Sequence, residues 1–143
     1  MKIGIGNDHA ALEMKWVIKE YLENLGHEVV NFGTDEAKSC DYPIYGEKVA
    51  RAVVSGEVER GILICGTGIG ISITANKVPG IRAALCGDCF SAQATREHND
   101  ANILAMGARV TGPGLALKIV DTFLDTPFSN DERHIRRIKM IEE

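Results

Sequence analysis

Short runs of aliphatic and β-branched residues alternate along this chain with longer stretches whose apolar positions recur every three or four residues. Lys2–Gly6 precedes a helical pattern at Ala11–Leu25, Glu28–Phe32 precedes Tyr45–Val54, and Gly61–Cys65 precedes Ile71–Lys77. Ile81–Cys86 then precedes Phe90–His98, and Ile103–Met106 precedes Leu115–Leu124. Strand-to-helix alternation of this kind predicts an α/β fold, a five-stranded parallel sheet covered by helices on both faces in three α/β/α layers. In the first helical stretch Ala11, Met14, Ile18, Leu22 and Leu25 form one apolar face, with Asn7 or Asp8 as the cap and Gly26 as the stop. Asp41 and Pro43 suit the start of the second, whose Tyr45, Val49, Ala52 and Val53 continue an apolar side until Gly56. From about Asp131, Ile135, Ile138 and Ile141 recur at steps of three and predict one more helix. The sheet already has helices on both faces, so this C-terminal helix is expected at an interface with a second subunit.

Composition narrows the class. The 143 residues are 45% hydrophobic and 25% charged, which fits one domain over residues 1–143, and no linker, repeat or low-complexity tract divides them. A formal charge of −4 opposes a nucleic-acid or membrane-surface role, although Arg133-His134-Ile135-Arg136-Arg137-Ile138-Lys139 is locally cationic. Any anionic ligand must therefore be met locally. Met1–Gly6 is too short and glycine-broken for a signal peptide, and no apolar run has the length to span a bilayer, so a cytoplasmic protein is expected. The cysteines, Cys40, Cys65, Cys86 and Cys89, are too sparse for a disulfide framework and read as free thiols.

The chemistry concentrates in Ile62-Leu63-Ile64-Cys65-Gly66-Thr67-Gly68-Ile69-Gly70-Ile71-Ser72, an apolar strand running into a cysteine and then glycine at every second position. Backbone N–H groups of such a turn, opening into a helix, direct partial positive charge at phosphates or developing oxyanions. A free cysteine usually ends as a small buried hydrophobe. One placed just before a run of backbone donors is instead favoured as thiolate, able to take a proton or attack carbon. The loop lacks the Gly-Lys-Ser/Thr ending of a P-loop and the third glycine of a dinucleotide fingerprint. In a doubly wound sheet the ligand crevice lies outside the carboxyl ends of the strands, which gathers Asp8-His9, Gly33-Thr34-Asp35, Cys65–Ser72, Gly87-Asp88 and Gly107. Cys86-Gly87-Asp88-Cys89 has dithiol spacing, but no second pair completes a zinc site, and inert thiols are the better reading. His98 closes a helix before the fifth strand, as a charge complement or a general acid. Arg133 and Arg137 share a helix face at i and i+4, with Arg136 competing for the same place.

Taken together, Asn7-Asp8-His9-Ala10, Gly33-Thr34, Asp41-Tyr42-Pro43, Gly61–Ser72 with Ala75-Asn76-Lys77, Arg82-Ala83-Ala84, Ser91-Ala92, Glu97–Asn102, Gly107-Ala108-Arg109 and Arg133-His134 resemble the type B ribose-5-phosphate isomerase family. That family also holds galactose- and allose-6-phosphate isomerases, and the resemblance covers nearly the whole chain in order. It implies a Rossmann-like fold and a metal-free, cofactor-free interconversion of an aldose phosphate with its ketose through an enediolate. On the matching positions Cys65 is implied as the base between C1 and C2, the amides of Gly66, Gly68 and Gly70 as holders of the enediolate oxygen, and Thr67 as an aid to proton movement among the substrate oxygens. His98 with Asp8 matches the pair that opens the sugar ring. His9, Arg109, Arg133 and Arg137 match phosphate ligands, and Tyr42, Ser72 and Asn99 belong to the pocket. No carboxylate stands beside Ser72, where some family members carry a glutamate base, which leaves Cys65 in that role. The resemblance further implies a homo-oligomer, dimer or tetramer, whose subunits share each site.

Overall fold

The computed structural model describes all 143 residues, Met1–Glu143. Five parallel strands, β1 (Lys2–Asn7), β2 (Glu28–Asn31), β3 (Arg60–Cys65), β4 (Ala83–Leu85) and β5 (Ile103–Gly107), lie in the order β2-β1-β3-β5-β4. Six helices pack around them: α1 (Leu12–Asn24), α2 (Tyr42–Val54), α3 (Ile69–Asn76), α4 (Cys89–Asn99), α5 (Pro113–Asp125) and α6 (Glu132–Glu142). The alternation predicted from the sequence is thus borne out, with element ends shifted by a few residues. The register pairs Asn7 with Ile64 and Cys65 with Gly107, so the carboxyl ends of the central strands finish level with one another.

The two-residue period of the strands sorts the core into two layers. Ile3, Ile5, Ile62, Ile64, Leu104 and Met106 meet Met14, Ile18 and Leu22 of α1 and Ile119, Val120 and Phe123 of α5 on one face. Leu63, Cys65, Ile103 and Ala105 meet Val49 and Ala50 of α2 and Ile71 and Ala75 of α3 on the other. On that second face Gly6 and Gly61 admit α2 at close range, since an added Cβ at either would stand 2.7 Å from a Val49 methyl. Truncating a fully buried residue such as Ile62 to alanine is expected to cost about 2 to 5 kcal/mol.

Two sequence expectations are corrected. Leu25 does not join the buried face of α1, because the chain turns away at Gly26 (φ +92°) and leaves it 55% exposed. Lys15 is instead fully buried in that face. Its ammonium donates to the Thr34 carbonyl and to Asp35 Oδ1 and lies over the Trp16 ring, which supplies the partners a buried charge requires. On α6 His134 is buried and Ile138 half-buried beside α4, while Ile135, Met140 and Ile141 lie exposed. No helix is long and apolar enough to cross a membrane.

Candidate active site

β3 delivers Cys65 to the carboxyl edge of the sheet, between β1 and β5, beside the point where the chain winds outward in both directions. The residue is 5% exposed, and its Sγ accepts the Gly68 N–H at 3.1 Å. That bond needs the Gly68 backbone turned left-handed (φ +79°), and a Cβ there would stand 2.6 Å from the Met106 carbonyl carbon. Only glycine fits both demands. An N–H donor aimed at sulfur interacts more strongly with the anionic than with the neutral form of a thiol. The carbonyls of Cys65 and Gly66 accept from Ala108 and Arg109 N–H at 2.9 and 3.0 Å, which locks the loop to the end of β5. The Arg109 guanidinium lies over Gly66, where an added Cβ would meet it at 3.3 Å. The Tyr42 ring lies on Gly70, 2.5 Å from where a side chain would begin. Thr67 is exposed, with Oγ1 accepting from Ile69 N–H at 3.2 Å. The Ser72 hydroxyl, by contrast, is spent inside the helix on the Ile69 carbonyl at 2.8 Å.

β1 brings Asp8 and His9 to the same edge. The Asp8 N–H donates to the Ile64 carbonyl, and Asp8 Oδ1 accepts the Ala10 N–H at 3.0 Å, while Asp8 Oδ2 makes no hydrogen bond. His9 Nδ1 accepts the Cys40 N–H at 3.2 Å, which assigns the proton of the neutral ring to Nε2 and leaves that nitrogen free to donate to an anion.

The remaining expected residues gather elsewhere. His98 and Asn99, on the last turn of α4, line a cavity of about 390 Å³ with Arg133, His134 and Arg137 of α6. The chain enters β5 only at Ile103, so this cluster stands at the amino edge of the sheet, whereas Cys65 pairs with Gly107 at the far end of that strand. About 13 Å of strand separates the two edges. Within one chain, then, His98 does not meet Asp8, nor do Arg133 and Arg137 meet Arg109. Arg136 lies outside the cavity, which resolves the competition on α6 in favour of Arg137 as a lining residue. Asp131 caps α6 and pairs with Arg133 at 3.3 Å, and hydrogen bonding from the Arg133 backbone N–H holds its carboxyl below the usual range.

A family model described as ribose/galactose isomerase matches residues 3–141. The chain belongs to the ribose/galactose isomerase family. It is 49% identical to ribose-5-phosphate isomerase B of Escherichia coli over 98% of this chain and 93% of that one. It is 44% identical to the LacB subunit of galactose-6-phosphate isomerase of Clostridium acetobutylicum, over 100% of this chain and 83% of that one. The solved structure of Clostridium thermocellum ribose-5-phosphate isomerase B superposes with a TM-score of 0.98 at 57% identity, covering 99% of this chain and 95% of that one. As a member of this family the chain is an aldose–ketose isomerase acting on a sugar phosphate.

Sequence reasoning gave His134 no role in this isomerase. It is buried, its Nδ1 lies 2.7 Å from Ser129 Oγ, and its ring packs on His98 with centroids 4.6 Å apart. The only signal was the i, i+4 spacing of His134 and Ile138, which is as helical as the i, i+3 spacing of Ile135 and Ile138 read as the apolar stripe.

Proposed function

We propose that this protein interconverts ribose 5-phosphate and ribulose 5-phosphate by proton transfer through an enediolate, with Cys65 as the base, in sites that two copies of the chain build together. The observation that carries the reading is the Gly68 N–H on the Cys65 sulfur at 3.1 Å, at the end of a central strand.

His98 and Asp8, drawn from different copies, open the furanose by moving the proton between the ring oxygen and O1. The Cys65 thiolate then takes the C2 hydrogen of the aldehyde, the C–H electrons become the C1=C2 bond, and negative charge moves to O1. Loop amides around Gly66–Gly70 receive that charge without reorganising, since the turn is already locked by Ala108 and Arg109. Thr67 helps transfer the proton of O2 to O1, after which the cysteine returns its proton to C1 and the C2 carbonyl forms. His9, Arg109, Arg133 and Arg137 hold the phosphate, and that remote grip aligns the carbon chain with the sulfur.

Sharing between copies is supported by the sheet length that separates the two clusters and by apolar residues left uncovered at both. Ile69, Ile73 and Leu85 beside the loop are 51%, 55% and 45% exposed, and Met140 and Ile141 on α6 are 65% and 61% exposed. A two-fold interface that sets the loop edge of one copy against the α4–α6 edge of the other covers both and completes each site.

The test is turnover of ribose 5-phosphate beside allose and galactose 6-phosphates, with solvent deuterium followed into C1. The pentose is expected to turn over with incorporation of deuterium, and Cys65→Ala is expected to lower kcat by a factor of about a thousand or more. Preferred turnover of a six-carbon phosphate overturns the substrate, and an active Cys65→Ala variant overturns the base.

A further inference from the structure

We propose that Arg82 is a positioning residue for this reaction: one guanidinium sets His98 and Asn99 in place relative to Arg133 and Arg137. The proposal rests on the ring-opening and phosphate-binding roles given to those residues above. Arg82 Nε donates to the Asn99 carbonyl at 2.9 Å and Nη2 to the Asp100 carbonyl at 3.0 Å. Nη1 donates to Glu142 Oε1, on the last turn of α6, at 2.6 Å. Three donors of one planar group thus join the end of α4 to the end of α6, a geometry that lysine cannot reproduce from a single ammonium. The side chain is only 18% exposed, which spares the ion pair much of the screening that weakens surface pairs. Its base is fixed as well, because the Arg82 N–H donates to Asn102 Oδ1 at 2.9 Å and its carbonyl accepts the Asn102 N–H at 3.1 Å.

The segment that Arg82 grips would not hold itself. Asp100 follows Asn99 in the left-handed region (φ +46°), unusual for a residue with a side chain. The buried Arg96 braces the turn from inside, donating to Asp100 Oδ1 at 2.8 Å, the Ala101 carbonyl at 2.7 Å and the Thr126 carbonyl at 3.1 Å. Arg96 secures the turn, and Arg82 ties it to α6. Misplacing an acid or a phosphate ligand by about 1 Å costs up to about a hundredfold in rate.

Ribulose 5-phosphate gives a readout that separates positioning from general damage. The hydroxyl that would close its five-membered ring carries the phosphate, so the ketose stays open-chain, and exchange of its C1 hydrogen with solvent requires Cys65 but no ring opening. Ribose 5-phosphate reacts from the closed furanose. For Arg82→Met, kcat on ribose 5-phosphate is expected to fall about tenfold or more and KM to rise severalfold, while C1 exchange of saturating ribulose 5-phosphate, which needs the phosphate grip but no ring opening, falls by a clearly smaller factor. Arg82→Lys is expected to recover only part of the loss. Glu142→Ala cuts the α6 arm alone and is expected to raise KM about threefold with kcat nearly unchanged. Unchanged kcat and KM in Arg82→Met, or equal losses in turnover and exchange, overturns the proposal. If that variant does not fold, an unchanged KM in Glu142→Ala overturns it. Wild-type protein that neither isomerises ribose 5-phosphate nor exchanges the C1 hydrogen of ribulose 5-phosphate refutes the proposed function instead.

Discussion

The two edges of the sheet solve different problems with different materials. At the carboxyl edge the part that faces the reacting carbons is mostly backbone: peptide N–H groups, glycines that only fit bare, and one sulfur held by the Gly68 amide at 3.1 Å, with the Asp8, His9 and Arg109 side chains around it. At the amino edge the chemistry is made of long side chains on the ends of α4 and α6, held by arginine grips on carbonyl oxygens. A rigid backbone cradle suits charge that develops in a transition state, because it has no reorganisation left to do. Long cations suit a phosphate that must be captured and released, where reach matters more than fixity. Under the function proposed above, neither edge carries a complete set of groups, and two copies together supply each site.

The strongest way to break this comparison is to disable one edge at a time and mix. Cys65→Ala and His98→Asn chains are each expected to be nearly inactive on ribose 5-phosphate. After unfolding and refolding together, randomly paired dimers should regain about a quarter of wild-type activity, since half of them are mixed and each mixed dimer keeps one intact site of two. Activity no greater than the sum of the separate variants places both edges in one chain's site and removes the sharing.

Next in size is a test of rigidity. Gly68→Ala puts a Cβ 2.6 Å from the Met106 backbone in a left-handed conformation, and an expected loss of about 3 kcal/mol lowers Tm by about 10 °C. Gly87→Ala, with nothing within 4 Å of the new carbon, is the matched control and should leave Tm within about 1 °C. Equal melting of the two variants would mean that the loop yields, and a yielding loop is not a preorganised one.

How far each edge was legible in the sequence follows from the same contrast. The loop at Cys65 is local: strand, cysteine, glycines and helix occupy eleven consecutive residues, so spacing alone exposed it. Even there the start of α3 lies at Ile69 rather than Ile71, because left-handed Gly68 begins the helix two residues earlier than the apolar pattern does. The amino-edge cluster joins residues 34 or more apart, and no periodicity shows that α6 folds back on α4. Position and motif resemblance pointed to His98, Arg133 and Arg137, while Arg82 and His134, though within the resembling segments, drew no role until their partners were visible. Strand order is likewise a tertiary fact, with β5 inserted between β3 and β4. Lys15 shows the other limit, since a lysine within an apolar face reads as solvent-facing until the Thr34 carbonyl and Asp35 carboxylate appear beside it.

A smaller effect sharpens the amino edge. Arg137 lines the cavity and makes no ion pair, whereas Arg136, one residue earlier on the same helix, stands outside it. Arg137→Met is expected to raise KM for ribose 5-phosphate about tenfold, as befits a lost contact between a guanidinium and a phosphate, and Arg136→Met to leave KM within about twofold. Equal effects would reduce the role of α6 to a general positive field, which salt then ought to screen.

The smallest expected effect contrasts two thiols at the carboxyl edge. Cys65 receives an amide hydrogen bond, whereas Cys86, at the end of β4, is pushed up to about 11 by burial and secondarily by the Asp88 charge. Cys86 is therefore protonated and unreactive at neutral pH, and Cys86→Ser should leave turnover unchanged while Cys65 takes up alkylating reagent faster. Unfolding frees the Cys86 thiol to ionise near its ordinary value of 9.0, so its contribution to stability is intact below that pH and fades as pH climbs toward about 11. Urea midpoints at pH 8 and pH 10 should show wild type losing about 1 kcal/mol more than Cys86→Ala across that interval. Parallel losses in the two proteins would show that Cys86 does not titrate differently in the fold, and the contrast between the thiols would then rest on Cys65 alone.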